Sequence, residues 1–271
     1  MTKKEQKFIA IVWDFYKEHG RKQLPWRKTK NPYKILVSEM MLQQTQVARV
    51  IPKYKTFLDT FPNVSALASA SLSDVLILWQ GLGYNRRAKM LHLCAKQIVN
   101  VYGGSFPKTK EKLKELPGIG PYTASAVCTF AYNKTVVLIE TNVRTVFLHH
   151  FFRGKTNVTD AELLPSIERT LDVQNPSEWY YALMDYGSHL KKSVGNENRR
   201  SAHHVVQSTF KGSDRQIRGA LIRLLAKGAK SRTSILLELS AFEDIRVDAQ
   251  VQALLDEGMI CHSKQKYSLP K

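Results

Sequence analysis

Leu116-Pro117-Gly118-Ile119-Gly120-Pro121-Tyr122-Thr123-Ala124 joins two stretches of helical spacing, residues 110–115 and 123–132. Glycines at alternate positions let the backbone turn sharply and come close to another surface, because no Cβ stands in the way. The second helix begins inside the stretch, so its first N–H groups have no partner within the helix and point outward, which suits an anion. Read for chemistry, such a hairpin holds a DNA phosphate on main-chain donors. Read for packing, it is a helix–turn–helix corner with glycines where helices meet. The stretch alone leaves both readings open.

Carboxylates lie on either side of this hairpin in unusual surroundings. Upstream, Ser38-Glu39-Met40-Met41-Leu42-Gln43-Gln44-Thr45-Gln46 sets an acid in an apolar run that includes Ile35, Leu36 and Val37. A carboxylate there is costly unless paired or at work, and burial favours its protonated form, which a general acid at neutral pH needs. The glutamine amides that follow have the groups to hydrogen-bond base edges or to fill a gap in a duplex. An exposed glutamate on an amphipathic helix is the plain alternative. Downstream, Val136-Val137-Leu138-Ile139-Glu140-Thr141-Asn142-Val143-Arg144 ends an apolar run in a second acid that heads another helix. Breaking a glycosidic bond builds positive charge on the sugar, and a fixed carboxylate stabilises that charge or traps it. The plain alternative is a helix cap, for which Thr141 or Asn142 suits better than Glu140.

Beyond these segments, residues 5–19 carry Phe8, Ile9, Val12, Phe15 and Tyr16 at helical spacing and stop at Gly20. Residues 24–32 form a basic, proline-containing loop. Helical patterns then follow one another to about Ser208, broken at Phe61-Pro62-Asn63, Gly81-Leu82-Gly83 and Gly103-Gly104, without strand-type alternation. This part of the chain is all-α. A polar, basic connection covers residues 196–213. After it come three short helical patterns at 215–226, 234–240 and 247–256, then a ribbon at 259–269 around Ser263-Lys264-Gln265-Lys266. Three helices and a small ribbon outline a winged helix, a module that lays a helix in the major groove or docks a protein. A small packing domain without DNA contact is the alternative.

The 271 residues hold 41 Lys and Arg against 23 Asp and Glu, a net charge of +18. An excess of that size fits a polyanionic partner, because each neutralised phosphate releases counterions. Nothing at the start reads as a targeting signal, and no apolar run has the length that spans a bilayer. A cytoplasmic protein is expected, nucleoid-associated if bacterial. Cys94, Cys128 and Cys261 are too scattered for a metal-ligand pattern or a disulfide framework. The pairs His149-His150 and His203-His204 are not read as metal sites, since adjacent helical residues point apart.

In this order and spacing the segments resemble the helix–hairpin–helix DNA glycosylases and, within them, the MutY-type adenine glycosylases. The matched pieces are Leu24-Pro25-Trp26-Arg27, Asn31-Pro32-Tyr33, the run from Ser38 to Gln46, Leu78-Trp79, Gly81-Leu82-Gly83-Tyr84, the hairpin, the Glu140 segment and Ala182-Leu183-Met184-Asp185-Tyr186-Gly187. The resemblance implies a two-lobed helix–hairpin–helix glycosylase core over residues 1–210, followed by the winged-helix-like domain at 211–271. Residues 28–137 would form a six-helix lobe, and 1–27 with 138–210 the second, with DNA across the groove between them. It implies that Glu39 protonates the adenine and then activates water, that Glu140 faces the sugar cation, and that Tyr122 and Asn142 support them. Leu42, Gln43, Gln44 and Tyr84 would enter the base stack when the nucleotide flips. Arg27 and Asp185 would line the base pocket. Gly118, Gly120, Thr123 and Arg144 would hold the DNA backbone.

Relatives that also cut the strand carry lysine where this chain has Tyr122, so base removal without efficient strand cleavage is expected. Ser188-His189-Leu190-Lys191-Lys192-Ser193-Val194-Gly195 stands where most of the family begins its cluster-binding cysteines, so the chain resembles the clusterless members and no iron–sulfur cofactor is expected. Arg199, Arg200, His203 and His204 are candidates there for DNA-backbone contacts or a solvated face. The resemblance also allows a monovalent cation on the hairpin carbonyls. Glu140 replaces the family's aspartate, and its extra methylene moves the charge by about a bond length. Misplacement on the order of 1 Å can cost about a hundredfold. The tail is too short for the Nudix-like domain with which MutY reads 8-oxoguanine.

The leading expectation is therefore a monomeric, monofunctional enzyme acting on double-stranded DNA, removing adenine opposite 8-oxoguanine or guanine. A mismatch thymine or uracil glycosylase is the alternative enzyme. A lesion-binding protein with impaired catalysis is the alternative from another class.

Overall fold

The computed structural model describes residues 1–207 and 209–271. In chain order the helices begin with α1 (Lys3–His19), a 3₁₀ turn (Pro25–Lys28), α2 (Pro32–Leu42), α3 (Val47–Thr60) and α4 (Val64–Ser69). Next come α5 (Leu72–Trp79), α6 (Arg86–Tyr102), the short α7 (Lys110–Lys114), α8 (Pro121–Tyr132) and α9 (Thr141–Phe151). The series continues with α10 (Asp160–Thr170), α11 (Pro176–Ser193), a 3₁₀ turn (Glu197–Arg200) and α12 (Asp214–Leu225). The chain ends with β1 (Lys230–Ser231), α13 (Arg232–Glu238), α14 (Asp244–Asp256), β2 (Cys261–Ser263) and β3 (Lys266–Ser268).

Regular helix stops well before Ser208, the approximate limit read from the sequence, and that residue itself lies outside the described ones. The described residues between Arg200 and α12 form turns and coil and are held by other means. Val158 and Ser201 form a parallel bridge, and the Val158 N–H donates to the Arg200 carbonyl at 3.0 Å.

The chain divides into two compact units. One comprises Met1–Ile35, Lys108–Lys114 and Ile119–Val206; the other comprises Leu36–Pro107, Glu115–Gly118 and Gln207–Lys271. These boundaries differ from the lobes expected from resemblance. Helix α8, expected with the six-helix lobe, belongs to the first unit, where Phe130 stacks flat on Tyr181 of α11 at 4.5 Å. Residues 119–132 are apolar almost all round, and a helix of that kind has to be enclosed on every side.

In the first unit α1, α9 and α11 meet on Phe8. Its ring lies 5.2 Å from Phe147, 5.0 Å from Phe151 and 6.1 Å from Trp179. Thr2 and Glu5 form a reciprocal cap at the start of α1, so that helix starts slightly earlier than the apolar periodicity indicates. In the second unit α3, α5 and α6 enclose Phe57, Leu76, Trp79 and Leu91, all fully buried. Burying each such side chain contributes roughly 1.5–3 kcal/mol.

The tail, expected as a separate domain, shares the second unit with residues 36–107. Its three helices carry a three-stranded antiparallel sheet in the order β1-β3-β2. Lys264 and Gln265 both have positive φ, 48° and 59°, as a two-residue hairpin turn demands. Two-residue β1, pairing Lys230 with Tyr267, is too short to show in the sequence pattern.

Candidate active site

Glu39 lies on α2, with Ser38 and Met40 each 1% exposed and Glu39 itself 8% exposed. The apolar run around it makes the helix enclosed on all sides, which is why a carboxylate became buried there. At the end of α2 the chain turns through Gln43 and Gln44, and Gln44 takes φ 53°, a conformation few non-glycine residues adopt. Tyr84 has φ 48° and follows the positive-φ residues Gly81 and Gly83. Both unusual backbones fall on residues expected to enter the base stack, as strained positions at functional sites do.

One residue holds these two turns, and the sequence reading missed it. Arg87 of α6 donates from Nη1 to the carbonyls of Met40 at 2.7 Å, Met41 at 2.9 Å and Gln43 at 2.6 Å. Its Nη2 donates to the carbonyls of Leu82 at 3.0 Å and Gly83 at 2.9 Å, and to the Thr45 hydroxyl at 3.2 Å. The carbonyls at a helix C-terminus lack partners within the helix and attract positive charge. Arg87 therefore caps the end of α2 at Leu42, three residues beyond Glu39, and ties the Gln43–Gln44 turn to the Tyr84 turn. The Trp79 and Tyr84 rings flank its guanidinium at 5.4 and 5.6 Å. Burial pushes its pKa down to about 10. A signal was present: Arg87 lies on the same stripe of α6 as Leu91, Cys94 and Ile98, all buried.

Glu140 is the N-cap of α9, a role the sequence reading gave rather to Thr141 or Asn142. Its Oε1 accepts from the N–H groups of Asn142 at 2.7 Å and Val143 at 2.9 Å, and its Oε2 accepts from Asn142 Nδ2 at 3.1 Å. The longer glutamate folds back to do this, so the extra methylene is taken up in the cap. Burial pushes the Glu140 carboxyl above the ordinary glutamate range, opposed by those hydrogen bonds and by the Arg144 charge. Asn142 is a direct hydrogen-bond partner of Glu140, through its backbone and its side chain. Gly187 of α11 permits this arrangement. A Cβ there would stand 2.4 Å from the Asn142 carbonyl oxygen. Tyr122 is half-buried on the first turn of α8.

Arg27 and Asp185 are brought together, though as a closed pair. Arg27 donates through both Nη atoms to Asp185, each at 2.7 Å, and its guanidinium lies 4.4 Å from the Tyr181 ring centre. Arg21, absent from the sequence-derived set, adds its own N–H and Nε to the same carboxylate, both at 2.7 Å. Burial alone would raise the Asp185 pKa; hydrogen bonds and charge from Arg27, then Arg21, outweigh it and hold the carboxyl below its usual range. Arg27 Nε is buried without a hydrogen-bond partner among the described residues.

At the hairpin, Gly118 has φ 75° and a Cβ on it would lie 2.5 Å from Met90 Cβ, so the backbone approach read from the sequence is real at this glycine. Gly120 is the cap of α8, supplies no side chain to it, and has open space around its Cα. Thr123 is 2% exposed, so its side chain faces inward. Arg144 is engaged by Asp160, through Nε at 2.6 Å and Nη2 at 2.8 Å.

The segment after Gly187 does not fit an iron–sulfur cluster: α11 runs on to Ser193, and Cys94 and Cys128 are buried elsewhere. Among the described residues no group of His, Cys, Asp and Glu is placed to hold a metal ion. Arg200 fastens this region. It donates to the carbonyls of Leu148 at 2.9 Å, Phe152 at 2.5 Å and Lys155 at 3.0 Å, and to Glu197 at 2.7 Å. It thus points into the protein, capping α9, while Arg199 is exposed, His203 pairs with Asp160 at 3.9 Å and His204 contacts Asn198 at 3.3 Å.

A family model described as HhH-GPD superfamily base excision DNA repair protein matches residues 37–168. The adenine DNA glycosylase of Mycolicibacterium smegmatis is 34% identical over 265 residues, spanning 90% of this chain and 89% of that protein. The adenine DNA glycosylase of Buchnera aphidicola is 37% identical over 182 residues, 67% of this chain and 52% of that protein, so the match spans about half of that relative. A thermostable thymine-DNA glycosylase has a similar structure, with a TM-score of 0.62 at 25% identity, covering 69% of this chain and 87% of that one. Endonuclease III in a non-covalent complex with DNA shares the fold, with a TM-score of 0.58 at 18% identity over 71% of this chain and 89% of that one. The chain belongs to the HhH-GPD superfamily of base excision DNA repair proteins, with the adenine DNA glycosylases as its relatives.

Proposed function

We propose that this protein is a monofunctional DNA glycosylase that hydrolyses the bond between adenine and deoxyribose where adenine is mispaired with 8-oxoguanine or guanine. The observation that carries this reading is Glu39. It is 8% exposed, lies one turn before the Gln43–Gln44 corner, and stands on a helix whose last carbonyls Arg87 clamps. An acid held in a fixed, dry position beside residues suited to entering a duplex can protonate the leaving base, and then deprotonate the attacking water. Glu140, fixed by two backbone N–H groups and Asn142, stabilises the sugar cation that forms as the base departs. Tyr122 offers no amine, so no Schiff base forms and the strand stays intact. The net charge of +18 supports the duplex as partner. No helix among the described residues is long and apolar enough to cross a membrane.

The test is single-turnover base release from duplexes with adenine opposite 8-oxoguanine, adenine opposite guanine, thymine opposite guanine and uracil opposite guanine. Adenine release that falls by about 10²–10⁴-fold in Glu39→Gln, with duplex affinity retained, is the expected result, since that is what a general acid–base contributes. The 25% identical thymine-DNA glycosylase structure favours thymine as the second reading, and release of thymine or uracil alone would establish that class instead. Inertness on every duplex, unchanged by Glu39→Gln, would make the chain a lesion binder.

A further inference from the structure

Helix α12 of the C-terminal module builds one wall of a groove whose other wall is the Gln43–Gln44 and Tyr84 turns. The groove has two chambers of about 410 Å³ each, which share Gln44, Tyr84 and Arg215. Arg215 joins the walls: its Nη1 donates to the Tyr84 hydroxyl at 2.7 Å and its guanidinium lies 5.2 Å from the Tyr84 ring centre. Gln207, from the connection leading to α12, donates to the same hydroxyl and to Gln44 Oε1 at 3.4 Å. Arg49, Arg86 and Arg223 add further positive charge, Arg218 is paired with Glu257 at 2.6 Å, and no carboxylate lines either chamber among the described residues. Arginines set around a tyrosine and glutamines suit nucleic acid: planar guanidinium forks match phosphates and the acceptor edge of guanine, and an aromatic face receives a base.

The position selects the strand. The groove begins at Gln43 and Gln44, within one helical turn of Glu39, which by the function proposed above acts on the extruded nucleotide. What lies beyond the residues that fill the gap is the nucleotide left behind. We propose that this groove binds the strand opposite the excised base, and that Arg215 of α12 reads an unpaired guanine through its O6 and N7 acceptors, or the O6 acceptor alone of 8-oxoguanine, whose N7 carries a proton, while Arg49 and Arg223 hold the flanking phosphates. The C-terminal module is therefore a part of substrate recognition, and the roles of Gln44 and Tyr84 extend from filling the gap to forming the floor beneath that base. This inference rests on the base-flipping reading, and its test is free of the excision step.

The experiment is equilibrium binding, by fluorescence anisotropy, of the full chain to duplexes with a tetrahydrofuran abasic analogue opposite guanine, opposite cytosine or opposite a second analogue. Wild type is expected to prefer guanine over the base-less partner by about tenfold, the discrimination one bidentate pair supplies. Arg215→Ala is expected to lose that preference, weakening the guanine duplex about tenfold more than the base-less one, and Arg215→Lys to fail to restore it, since an ammonium lacks the fork. Arg223, exposed on α12, serves as the variant that does not perturb folding. Arg223→Ala should weaken binding to every duplex alike and lower the slope of log affinity against log salt by about 1. A guanine preference that survives Arg215→Ala, or affinity and salt slope that survive Arg223→Ala, would overturn the proposal. Because these duplexes contain no base to excise, failure of wild type to release adenine would defeat the enzymatic reading and leave the binding result to stand or fall on its own.

Discussion

Replacing Arg87 by methionine removes the clamp while nearly preserving side-chain length, and its cost follows from the bonds it breaks. Five carbonyls, those of Met40, Met41, Gln43, Leu82 and Gly83, lose a charged donor. A buried acceptor left unpaired costs about 1–3 kcal/mol, so five sum to about 5–15 kcal/mol, which partial relaxation brings down to about 5–8. Against this stands the cost of burying a guanidinium, visible in a pKa pushed down to about 10. A depression of that size corresponds to about 3 kcal/mol that the methionine variant no longer spends. The net expectation is a loss of about 2–5 kcal/mol, or a fall in Tm of roughly 10 °C at 2–4 °C per kcal/mol. Arg87→Lys should fall between, because three ammonium donors cannot span five carbonyls and a hydroxyl. Urea unfolding followed by tryptophan fluorescence reads this directly, with Trp79 beside the clamp as reporter. An Arg87→Met variant within about 1 kcal/mol of wild type would refute the reasoning. It would mean that water or backbone rearrangement satisfies those carbonyls at no cost.

Gly187→Ala places a methyl group 2.4 Å from the Asn142 carbonyl, so the start of α9 has to move and Glu140 with it. A shift on the order of 1 Å should lower single-turnover base release by about a hundredfold with duplex affinity little changed; an unaffected rate would show that Glu140 placement is not critical. The acid limb of the pH–rate profile should also lie above the ordinary glutamate value of about 4.3. The ionised form of Glu140 is the one that stabilises a cation, and burial raises its pKa, so activity is lost as pH falls through that raised value. A rate that stays flat down to about pH 4.3 would assign the cation's stabilisation to another group.

Much of this site was legible because it rests on local pattern. The acid in the apolar run 35–42 was open to a buried or an exposed reading, and it is buried. Glycine at 118 had to serve a close approach, and Met90 is the surface it approaches. The tail's helices and ribbon followed from periodicity and from a four-residue polar turn. Other features were misread because the same residue type serves opposite purposes. Arg200 was a candidate for a DNA-backbone contact or a solvated face, yet it turns inward to cap a helix C-terminus, as does Arg87, which the sequence did not single out. Arg144 and Thr123 were expected at the DNA backbone; one is held by Asp160 and the other is buried. A charged side chain is placed by whichever unpaired groups it meets, and sequence spacing does not reveal those groups.

The sequence by itself determined the helical class, the hairpin, the two acids in apolar surroundings and the basic character of the whole. Each of these depends on periodicity, composition or the conformational freedom of glycine, which are local properties. Only the tertiary structure decided that one arginine binds the Glu39 helix to two strained turns, and that α12 stands beside Tyr84. Those outcomes rest on which distant carbonyls, guanidinium groups and rings come within about 3–5 Å of one another, and hydrogen bonds and ring contacts weaken steeply beyond such separations.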